Sequence, residues 1–317
     1  MEESSKAVSL TVESPQAEAK PPHEAVFLVL AYLPVYEIVV MSQVCISLRD
    51  AVNNDILPWL NVIVERPLSW RLNDEILMKI TSKANGRLKT LALINCMHVT
   101  DEGLQRVVKQ NPLISKLHIP ACTGITPEGV IRAMKTLCQR SNCLKTLSIN
   151  GICNIEKEDL DLLTMYLRKN IPLQEQQKQQ PVYYHQRGSF SLLKHEESQR
   201  LIDLEICPRC FEVRMVYDCP KGHCMRKEWP LAQCRGCNFC ISRCENCGGC
   251  IESGEVEEGA CEDILCLECW LQLPKCSFCN KPYCKQHTNW WRTSSESSLI
   301  CKVCDENSHG YTYTDVL

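Results

Sequence analysis

The sequence predicts a protein of the α+β class in three parts: a small helical module, a short α/β repeat array and an irregular cysteine-rich module folded around metal ions. Three observations support this prediction. Apolar residues follow helical spacing near the N-terminus, a motif recurs in the middle of the chain, and 18 of the 24 cysteines lie between Cys207 and Cys304. A chain of 317 residues has room for two or three domains of ~100–200 residues each.

Composition and charge exclude several classes of protein. The formal net charge is −3, which gives no global attraction to nucleic acid or to anionic membranes. The polar, acidic N-terminus has no apolar core of signal-peptide length. The longest apolar stretch, Ala25 to Val44, contains Pro34 and Glu37 and is too polar for a membrane span. We therefore expect an intracellular protein of the nucleus or cytoplasm, whose cysteines stay reduced and bind metal.

The first folded part is a helical module. Residues 1–21 are rich in Ser, Glu, Ala and Pro, which predicts a disordered tail. Over residues 22–60 apolar side chains recur at three- and four-residue steps, and Pro34 separates two helical runs because proline does not continue a helix. A module of about 40 residues has little surface to bury. We therefore expect it to dock on a neighbouring part of the chain or on a partner.

A repeated motif follows. The pattern Leu-x-x-Leu-x-Leu-x-x-Cys, followed by Val-Thr-Asp-x-Gly-Leu, begins at Leu88 and returns in similar form at Ile114 and Leu144. The offsets of 26 and 30 residues lie within or just beyond the leucine-rich-repeat range of ~20–29 residues. The alternating apolar residues predict a short strand, and the Thr-Asp-x-Gly-Leu segment predicts the start of the returning helix. We predict three to four leucine-rich repeats over residues 61–170, with their cysteines as inward-facing core thiols.

Cysteines in the last third of the chain come mainly in Cys-x-x-Cys pairs. We predict a linker or cap over residues 171–200, a zinc module over 201–306 and a short tail over 307–317. Two intervening residues let a tight turn aim both sulfurs at one tetrahedral ion. The candidate metal ligands are Cys207, Cys210, Cys219, His223, Cys224, Cys234, Cys237, Cys240, Cys244, Cys247, Cys250, Cys261, Cys266, Cys269, Cys276, Cys279, Cys284, His287, Cys301 and Cys304.

Twenty candidate ligands allow at most five four-ligand sites, so we expect about four zinc ions, up to five. In the last half of the module, the spacing of the pairs suggests a cross-braced arrangement in which alternate pairs share an ion. Cys266 and Cys269 would then share one ion with Cys284 and His287. The second ion would be held by Cys276, Cys279, Cys301 and Cys304.

We expect the metals to be structural. The module has few large apolar residues, and zinc can supply ~10–16 kcal/mol of apparent folding free energy to a small domain. An iron–sulfur cluster is an alternative, because Cys234, Cys237, Cys240 and Cys244 have the spacing of a bacterial ferredoxin. Glu245 stands where that pattern has proline. Elemental analysis for zinc and iron distinguishes the two.

Charge argues against nucleic acid as the ligand of the zinc module. From Cys207 to Leu317 acidic residues outnumber basic ones, and zinc-bound thiolates add negative charge. Phosphate contacts need clustered basic residues. No Gly-rich phosphate loop or Ser/His/Asp arrangement stands out, so the sequence predicts a protein that is not an enzyme.

The helical module resembles an F-box between Pro22 and Asp50, where the sequence reads Pro-His-Glu-Ala-Val-x-x-Val-Leu-x-x-Leu-Pro-x-x-Glu-Ile-x-x-Met-Ser-Gln-Val-Cys-x-Ser-Leu-Arg-Asp. With cysteine-containing repeats directly behind it, this part of the chain is similar to plant F-box proteins of the SKP-interacting-partner group that carry a cysteine-rich tail. The chain departs from the F-box pattern at Pro21, where leucine is usual, and at Leu48, where tryptophan is common.

The resemblance implies a non-catalytic subunit. In the family, the F-box binds a SKP-type adaptor, which links to a cullin and its RING subunit, and the rest of the chain selects a protein substrate for ubiquitination. By this resemblance, the positions that face or support the adaptor are Leu30, Leu33, Pro34, Ile38, Val44 and Cys45. Two alternatives stay open: a stand-alone zinc-finger ubiquitin ligase, and a zinc-finger scaffold that binds peptides or chromatin.

Overall fold

The computed structural model describes residues 22–140, 144–168, 181–186, 200–222, 224, 234–251, 256–283, 291–293 and 299–309. The helices in this part of the chain are α1 (Glu24–Val29), α2 (Val35–Met41), α3 (Ile46–Asn54), α4 (Asp74–Ser82), α5 (Asp101–Gln110), α6 (Pro127–Arg140), α7 (Lys157–Arg168), α8 (Leu267–Gln272) and α9 (Lys302–His309). The strands are β1 (Asn61–Val64), β2 (Thr90–Leu93), β3 (Lys116–His118), β4 (Thr146–Ser148), β5 (Glu205–Ile206), β6 (Val213–Arg214), β7 (Val256–Glu258), β8 (Ile264–Cys266), β9 (Trp291–Thr293) and β10 (Leu299–Cys301). None of these helices is long and apolar enough to cross a membrane.

Helices α1 to α3 form the predicted helical module, and Pro34 lies between α1 and α2 as the N-cap of α2. Their inner face is apolar and closed by Trp59, whose buried indole N–H donates to the carbonyl of Val52 at 2.8 Å. The module docks on its neighbour, because Leu30 and Ile38 belong to the same core as the strands that follow. The predicted docking is therefore made within the chain.

Strands β1 to β4 form one parallel sheet in chain order. Parallel strands need a crossover connection, which helices α4, α5 and α6 supply here. The central apolar residue of each strand is in register with the next, so that Val62, Leu91, Leu117 and Leu147 form one buried row. Each copy of the repeated motif thus contributes one strand and one helix.

The Thr-Asp-x-Gly segment of the motif ties each unit to the next. The carboxylate of Asp74 accepts hydrogen bonds from the N–H (2.9 Å) and the hydroxyl (2.6 Å) of Thr100, which is the N-cap of α5. Asp101 accepts the same two bonds from Thr126, at 2.8 and 2.7 Å. A capping side chain satisfies an N–H group that the helix leaves unpaired. Each aspartate therefore fixes the start of the following helix.

Glycine completes the motif because the aspartate of the preceding unit lies against it. A Cβ atom added at Gly103 would lie 2.0 Å from Oδ1 of Asp74, and one added at Gly129 would lie 1.9 Å from Oδ1 of Asp101. Any side chain at these positions would displace the carboxylate that holds the helix start. The cysteines of the motif are buried, as predicted, and Cys122 donates its S–H to the carbonyl of Leu93.

The second edge of the sheet is covered by residues 200–206. The N–H of Leu147 donates to the carbonyl of Leu201 at 2.8 Å, and Ile202 lies beside β4 in parallel orientation. The carboxylate of Asp203 accepts from the Ser148 hydroxyl at 2.6 Å and also from two backbone N–H groups at 2.9 and 3.1 Å. Burial raises the pKa of Asp203, which these three bonds oppose. An unpaired sheet edge is an aggregation risk, and this segment removes it.

An ion-pair network connects this edge segment to the cysteine-rich module. Arg200 pairs with Glu205 at 2.7 Å and with Asp218 at 3.5 Å, and Arg235 pairs with Asp218 at 3.2 Å. Tyr184, in the region predicted as a linker or cap, donates its hydroxyl hydrogen to Glu245 at 2.9 Å and therefore lies against the cysteine-rich module. Residues 171–180 and 187–199 of that region, the predicted N-terminal tail over residues 1–21 and residues 310–317 of the predicted C-terminal tail lie outside the described residues. Residues 307–309, predicted as part of the C-terminal tail, belong to α9 instead.

The cysteine-rich module consists of small hairpins. Strands β5 with β6, β7 with β8, and β9 with β10 pair antiparallel, each in a two-stranded sheet. The buried side chains of the module form small clusters, and each of these clusters contains cysteines. The module therefore has no single apolar core among its described residues, which agrees with the prediction that metal supplies the folding energy.

We expect Gly103→Ala to lower the free energy of unfolding by about 1–3 kcal/mol, because the new methyl group collides with Asp74. The collision costs more than this, because part of its cost is offset by the ~1 kcal/mol by which alanine is favoured over glycine in a helix. Urea unfolding followed by far-ultraviolet circular dichroism measures it. Gly222→Ala is the control, since nothing lies within 4 Å of its added Cβ atom. A wild-type midpoint for Gly103→Ala would contradict this account of the motif.

Candidate metal centres and helical surface

Four groups of four cysteines bring their sulfurs together. Within each group all four sulfurs lie within 4.8 Å of one another. The groups are Cys207, Cys210, Cys237 and Cys240 (group 1); Cys219, Cys224, Cys234 and Cys250 (group 2); Cys244, Cys247, Cys266 and Cys269 (group 3); and Cys276, Cys279, Cys301 and Cys304 (group 4).

The sulfur positions fit zinc. A tetrahedral ion with Zn–S bonds of about 2.3 Å separates neighbouring sulfurs by about 3.8 Å. Three sulfur–sulfur distances equal 3.8 Å. They are the distances between Cys210 and Cys237 in group 1, between Cys247 and Cys266 in group 3, and between Cys279 and Cys301 in group 4. Four thiolates in such a tetrahedron close the coordination sphere and leave no position for a substrate. The arrangement is that of a structural site.

Backbone N–H groups point at the sulfurs. In group 4 the N–H of Cys301 donates to the sulfur of Cys276 at 3.3 Å. Burial raises the pKa of the Cys276 thiol, but N–H groups of Cys279, Cys301 and Phe278 outweigh it and lower the pKa to about 6. A thiol must lose its proton before it binds metal. The surrounding N–H groups therefore favour the thiolate form of Cys276, whereas burial raises the pKa of Cys301 and Cys304 in the same group.

The grouping agrees with one predicted pairing and contradicts another. Group 4 has the four members that the cross-braced arrangement predicts. The prediction for Cys266 and Cys269 is wrong, because these sulfurs join Cys244 and Cys247. A bond of 2.9 Å from the N–H of Glu245 to the carbonyl at position 264 brings β8 beside the earlier Cys-x-x-Cys turn, which places the sulfurs at its end in group 3.

The ferredoxin-like spacing does not gather its cysteines at one centre. Cys237 and Cys240 belong to group 1, Cys234 belongs to group 2, and Cys244 belongs to group 3. The run is thus divided among three separate tetrahedra. This division removes the structural basis for an iron–sulfur cluster on that motif.

Four further candidates stay predictions. Cys261 lies outside the four groups, and its S–H donates to the carboxylate of Asp263 at 3.1 Å. His223, Cys284 and His287 lie outside the described residues.

A lysine lies between groups 2 and 3. The ammonium of Lys221 donates to the carbonyl of Cys250 at 3.3 Å. Burial alone would lower the pKa of Lys221, but the thiolates of Cys266, Cys250, Cys247 and Cys219 raise it above its usual value. Zinc with four thiolates carries a net charge of −2, so neighbouring groups repel each other at low effective dielectric. The Lys221 cation reduces that repulsion.

A buried arginine holds the loops of group 2 together. Arg243 is 3% exposed, and its guanidinium donates to the carbonyls of Tyr217, Asp218 and Cys234 at 2.8, 3.3 and 3.1 Å. Three carbonyls from two loops therefore share one cation, which offsets part of the cost of burying it.

The outer face of helices α1 to α3 is also apolar. Its exposed side chains, together called the helical surface, are Leu28, Val29, Tyr32, Tyr36, Val39, Val40, Val44, Ile46 and Leu57. Exposed apolar side chains in such number on a small module are typical of a surface that binds a partner. Helix α2 shows the division clearly, because Val35 and Ile38 are buried while Tyr36, Val39 and Val40 are exposed.

The predicted contact positions fall on both sides of this module. Val44 is 67% exposed and lies on the helical surface, whereas Leu30 and Ile38 are buried and support it from within. Leu33, Pro34 and Cys45 are half-buried. The sequence prediction missed most of the exposed set. Its only signal was that these helices carry apolar residues on opposite faces, which a helix with a single buried face does not do.

Comparison with known proteins identifies the family. The F-box domain family matches residues 22–60, which contain the helical surface. F-box protein SKIP28 of Arabidopsis thaliana is 39% identical over 303 residues, covering 92% of this chain and 93% of that protein. The chain belongs to the plant SKP-interacting F-box proteins. The resemblance seen in the sequence is thereby confirmed.

Two further Arabidopsis thaliana relatives share most of this F-box protein. F-box protein SKIP14 is 34% identical over 254 residues, 80% of this chain and 55% of the relative. F-box protein At3g27290 is 34% identical over 268 residues, 83% of this chain and 63% of the relative. The family described as At3g27290 F-box protein C-terminal domain matches residues 203–278. That span contains groups 1 to 3 complete and only Cys276 of group 4.

We expect the purified F-box protein to contain at least four zinc ions per chain and no stoichiometric iron, by elemental analysis. Cys210→Ser should remove about one zinc, because three sulfurs hold the ion less tightly than four. Cys153→Ser is the matched control, since Cys153 is exposed and lies outside the four groups. Fewer than four zinc ions in the wild type, or equal loss in both variants, would contradict the assignment.

We expect Lys221→Met to speed the release of zinc to a colorimetric chelator several-fold, because two neighbouring tetrahedra lose the cation between them. Lys281→Met is the control. Lys281 is an exposed lysine of the same module, and its ammonium pairs with Glu258 at 3.2 Å. Equal release rates in the two variants would show that the Lys221 charge does not act on the metal sites.

Proposed function

We propose that this F-box protein is the substrate-recognition subunit of an SCF-type cullin–RING ubiquitin ligase and has no catalytic activity of its own. The helical surface is the observation that carries the proposal. It lies within the residues that match the F-box domain, and its apolar side chains are exposed on the described chain. A SKP-type adaptor that covers them, and through it the cullin and RING subunits, is the partner we assign.

The helical module has a buried inner face and an exposed outer face, so a partner can bind the outer face while the fold is kept by the inner one. Leu30, Ile38 and Leu48 are buried against the chain, so covering the outer face leaves the inner packing unchanged. Removing apolar surface from water is favourable by about 25 cal/mol per Å², and the entropy cost of association is subtracted from that gain. Val44, Val39 and their neighbours offer such surface. We assign adaptor contact to Val44 and a supporting role to Leu30 and Ile38.

The helical module is attached firmly to the repeats, which suits a subunit that presents a substrate at a fixed place. The ammonium of Lys83 in the turn after α4 lies 4.3 Å from the centre of the Trp59 ring. The side-chain amide of Asn61 at the start of β1 donates to the carbonyl of Ala31 at 3.3 Å. These contacts join the module to the sheet beyond their shared apolar core.

We propose that the strand–helix units are leucine-rich repeats, and that these units, the zinc module or both bind the substrate. The repeated motif and the parallel register of β1 to β4 support the first assignment. The closed sulfur tetrahedra support zinc as a structural ion in the second. A subunit of this ligase acts inside the cell, so we place the protein in the nucleus, the cytoplasm or both.

We favour this proposal over a stand-alone zinc-finger ligase, in which Cys266 to Cys304 would form a cross-braced finger that recruits a ubiquitin-conjugating enzyme. Cys266 and Cys269 share group 3 with an earlier pair instead. The module is therefore assigned to folding and substrate binding.

We expect the full chain to co-precipitate a SKP-type adaptor, and Val39→Ser with Val44→Ser to weaken this binding about tenfold or more. Both valines are exposed, at 42% and 67%, so the double variant should keep its stability. Leu162→Ser with Met165→Ser on α7 is the matched control, with exposures of 42% and 44%. If no adaptor binds the wild type, or if both double variants bind equally well, the proposal fails.

A further inference from the structure

Charges in the repeat array are segregated. From residue 74 to residue 161 acidic residues occur only at or just before the helix starts and in the first turns of the helices. The three intervals 76–100, 103–127 and 129–155 contain no Asp or Glu, yet they carry eleven Lys and Arg residues. Since the helices run parallel beside one another, one end of the array is acidic and the remainder is basic.

The cations gather where the strands begin. Each of β2, β3 and β4 is preceded by a helix end and a turn, and each contributes two cations there. This basic edge consists of Arg87, Lys89, Lys109, Lys116, Arg140 and Lys145. Lys116 is half-buried, and the other five are exposed.

The strand register orders three of these cations in two adjacent rows. The N–H of Ser115 donates to the carbonyl of Lys89, and the N–H of Lys145 donates to the carbonyl of Ser115, at 2.8 and 2.7 Å. Lys89, Ser115 and Lys145 are thus neighbours across the three strands. Lys116 pairs in the adjacent row with Thr90 and with the first residue of β4, so two hydroxyl side chains flank it.

The basic edge has no acidic counterpart in the described part of the chain. None of its six cations forms an ion pair there, in contrast to Arg132 on α6, which pairs with Asp101 at 3.4 Å. Arg140 donates to the carbonyl of Lys109 at 2.7 Å, a bond that orients its guanidinium without neutralising it. Among the described residues, these cations therefore form a cluster of positive charge without an ion-pair partner, on a protein whose net charge is −3.

We propose that the basic edge binds an extended, carboxylate-rich segment of a partner protein, which makes it a determinant of substrate choice. The inference rests on the proposed function, because the partner would be the ligase substrate. Strands lie about 4.8 Å apart, so the three strand starts span about 10 Å, and side chains reach further on both sides. An extended chain advances about 3.3 Å per residue, so four or five residues cover the strip.

A short acidic peptide fits this edge better than a nucleic acid does. A long polyanion would extend past the strip to the acidic helix starts, where Asp74, Glu75 and Glu102 lie, and to a zinc module whose thiolates add negative charge. The basic edge also presents no aromatic side chain on which a base could stack. Carboxylates spaced along an extended chain need only the row of lysines and arginines.

The test is fluorescence anisotropy of a fluorescein-labelled peptide containing six consecutive glutamates, titrated with the full chain at 50 mM salt. We expect the triple variant Lys89→Gln, Lys116→Gln, Lys145→Gln to weaken binding about tenfold. The matched control is Lys79→Gln, Arg106→Gln, Lys135→Gln, which removes the same charge from exposed positions of the three helices that precede β2, β3 and β4. It should change binding less than twofold. Higher salt should weaken binding of the wild type.

Three results would overturn the inference: no peptide binding to the wild type, equal weakening in both triple variants, or tighter binding of a thymidine 12-mer than of the peptide. Adaptor co-precipitation with the same proteins separates this inference from the proposed function. The wild type and both triple variants should all bind the adaptor. If they do while the peptide does not bind, the basic edge has another role and the ligase proposal stands. If the adaptor fails to bind the wild type, the ligase proposal falls by itself.

Discussion

A parallel sheet with two edges to close is the constraint on which this structure depends. At one end, helix α2 packs against β1 and shares its core. At the other, residues 200–206 lie along β4, and Asp203 binds the hydroxyl and backbone N–H groups that the last strand leaves open. The F-box helices and the segment that leads into the zinc module therefore cover the two opposite edges of the same sheet.

The cysteine-rich module has no sheet large enough to bury an apolar core, because its described strands form only two-stranded hairpins. Its described residues are organised around groups of four sulfurs, with the buried Arg243 and the partly exposed Lys221 supplying positive charge between the loops. Each group of sulfurs brings together segments that are distant in sequence, as the apolar core does in the repeats. Cysteine is thus a small apolar side chain in the repeats, whereas in the module it is gathered in groups of four that could hold a metal ion.

The sequence pattern predicted those features that depend on residues close together in the chain. The strands and helices of the repeats follow from the alternation and spacing of apolar residues, and the cysteines of group 4 follow from pairs that are neighbours in sequence. The partners of Cys266 and Cys269 depend on how two hairpins meet, and the spacing of pairs does not record that. The helical surface was underestimated because exposed Val39 and buried Ile38 look alike in a sequence. The sheet-edge role of Asp203 could not be predicted, because its hydrogen-bond partner Ser148 lies on β4, more than fifty residues earlier in the chain.

The metal groups overlap along the chain. Group 1 extends from Cys207 to Cys240, group 2 begins inside that span and ends at Cys250, and group 3 begins at Cys244 before group 2 has ended. Group 4 alone stands clear of the others. A chain leaving the ribosome therefore cannot complete its first tetrahedron until residue 240 has emerged, and by then three of the four ligands of group 2 are already exposed and competing for the same ion. The order in which their cysteines emerge thus couples the first three groups, while all four cysteines of group 4 emerge after those of the other groups.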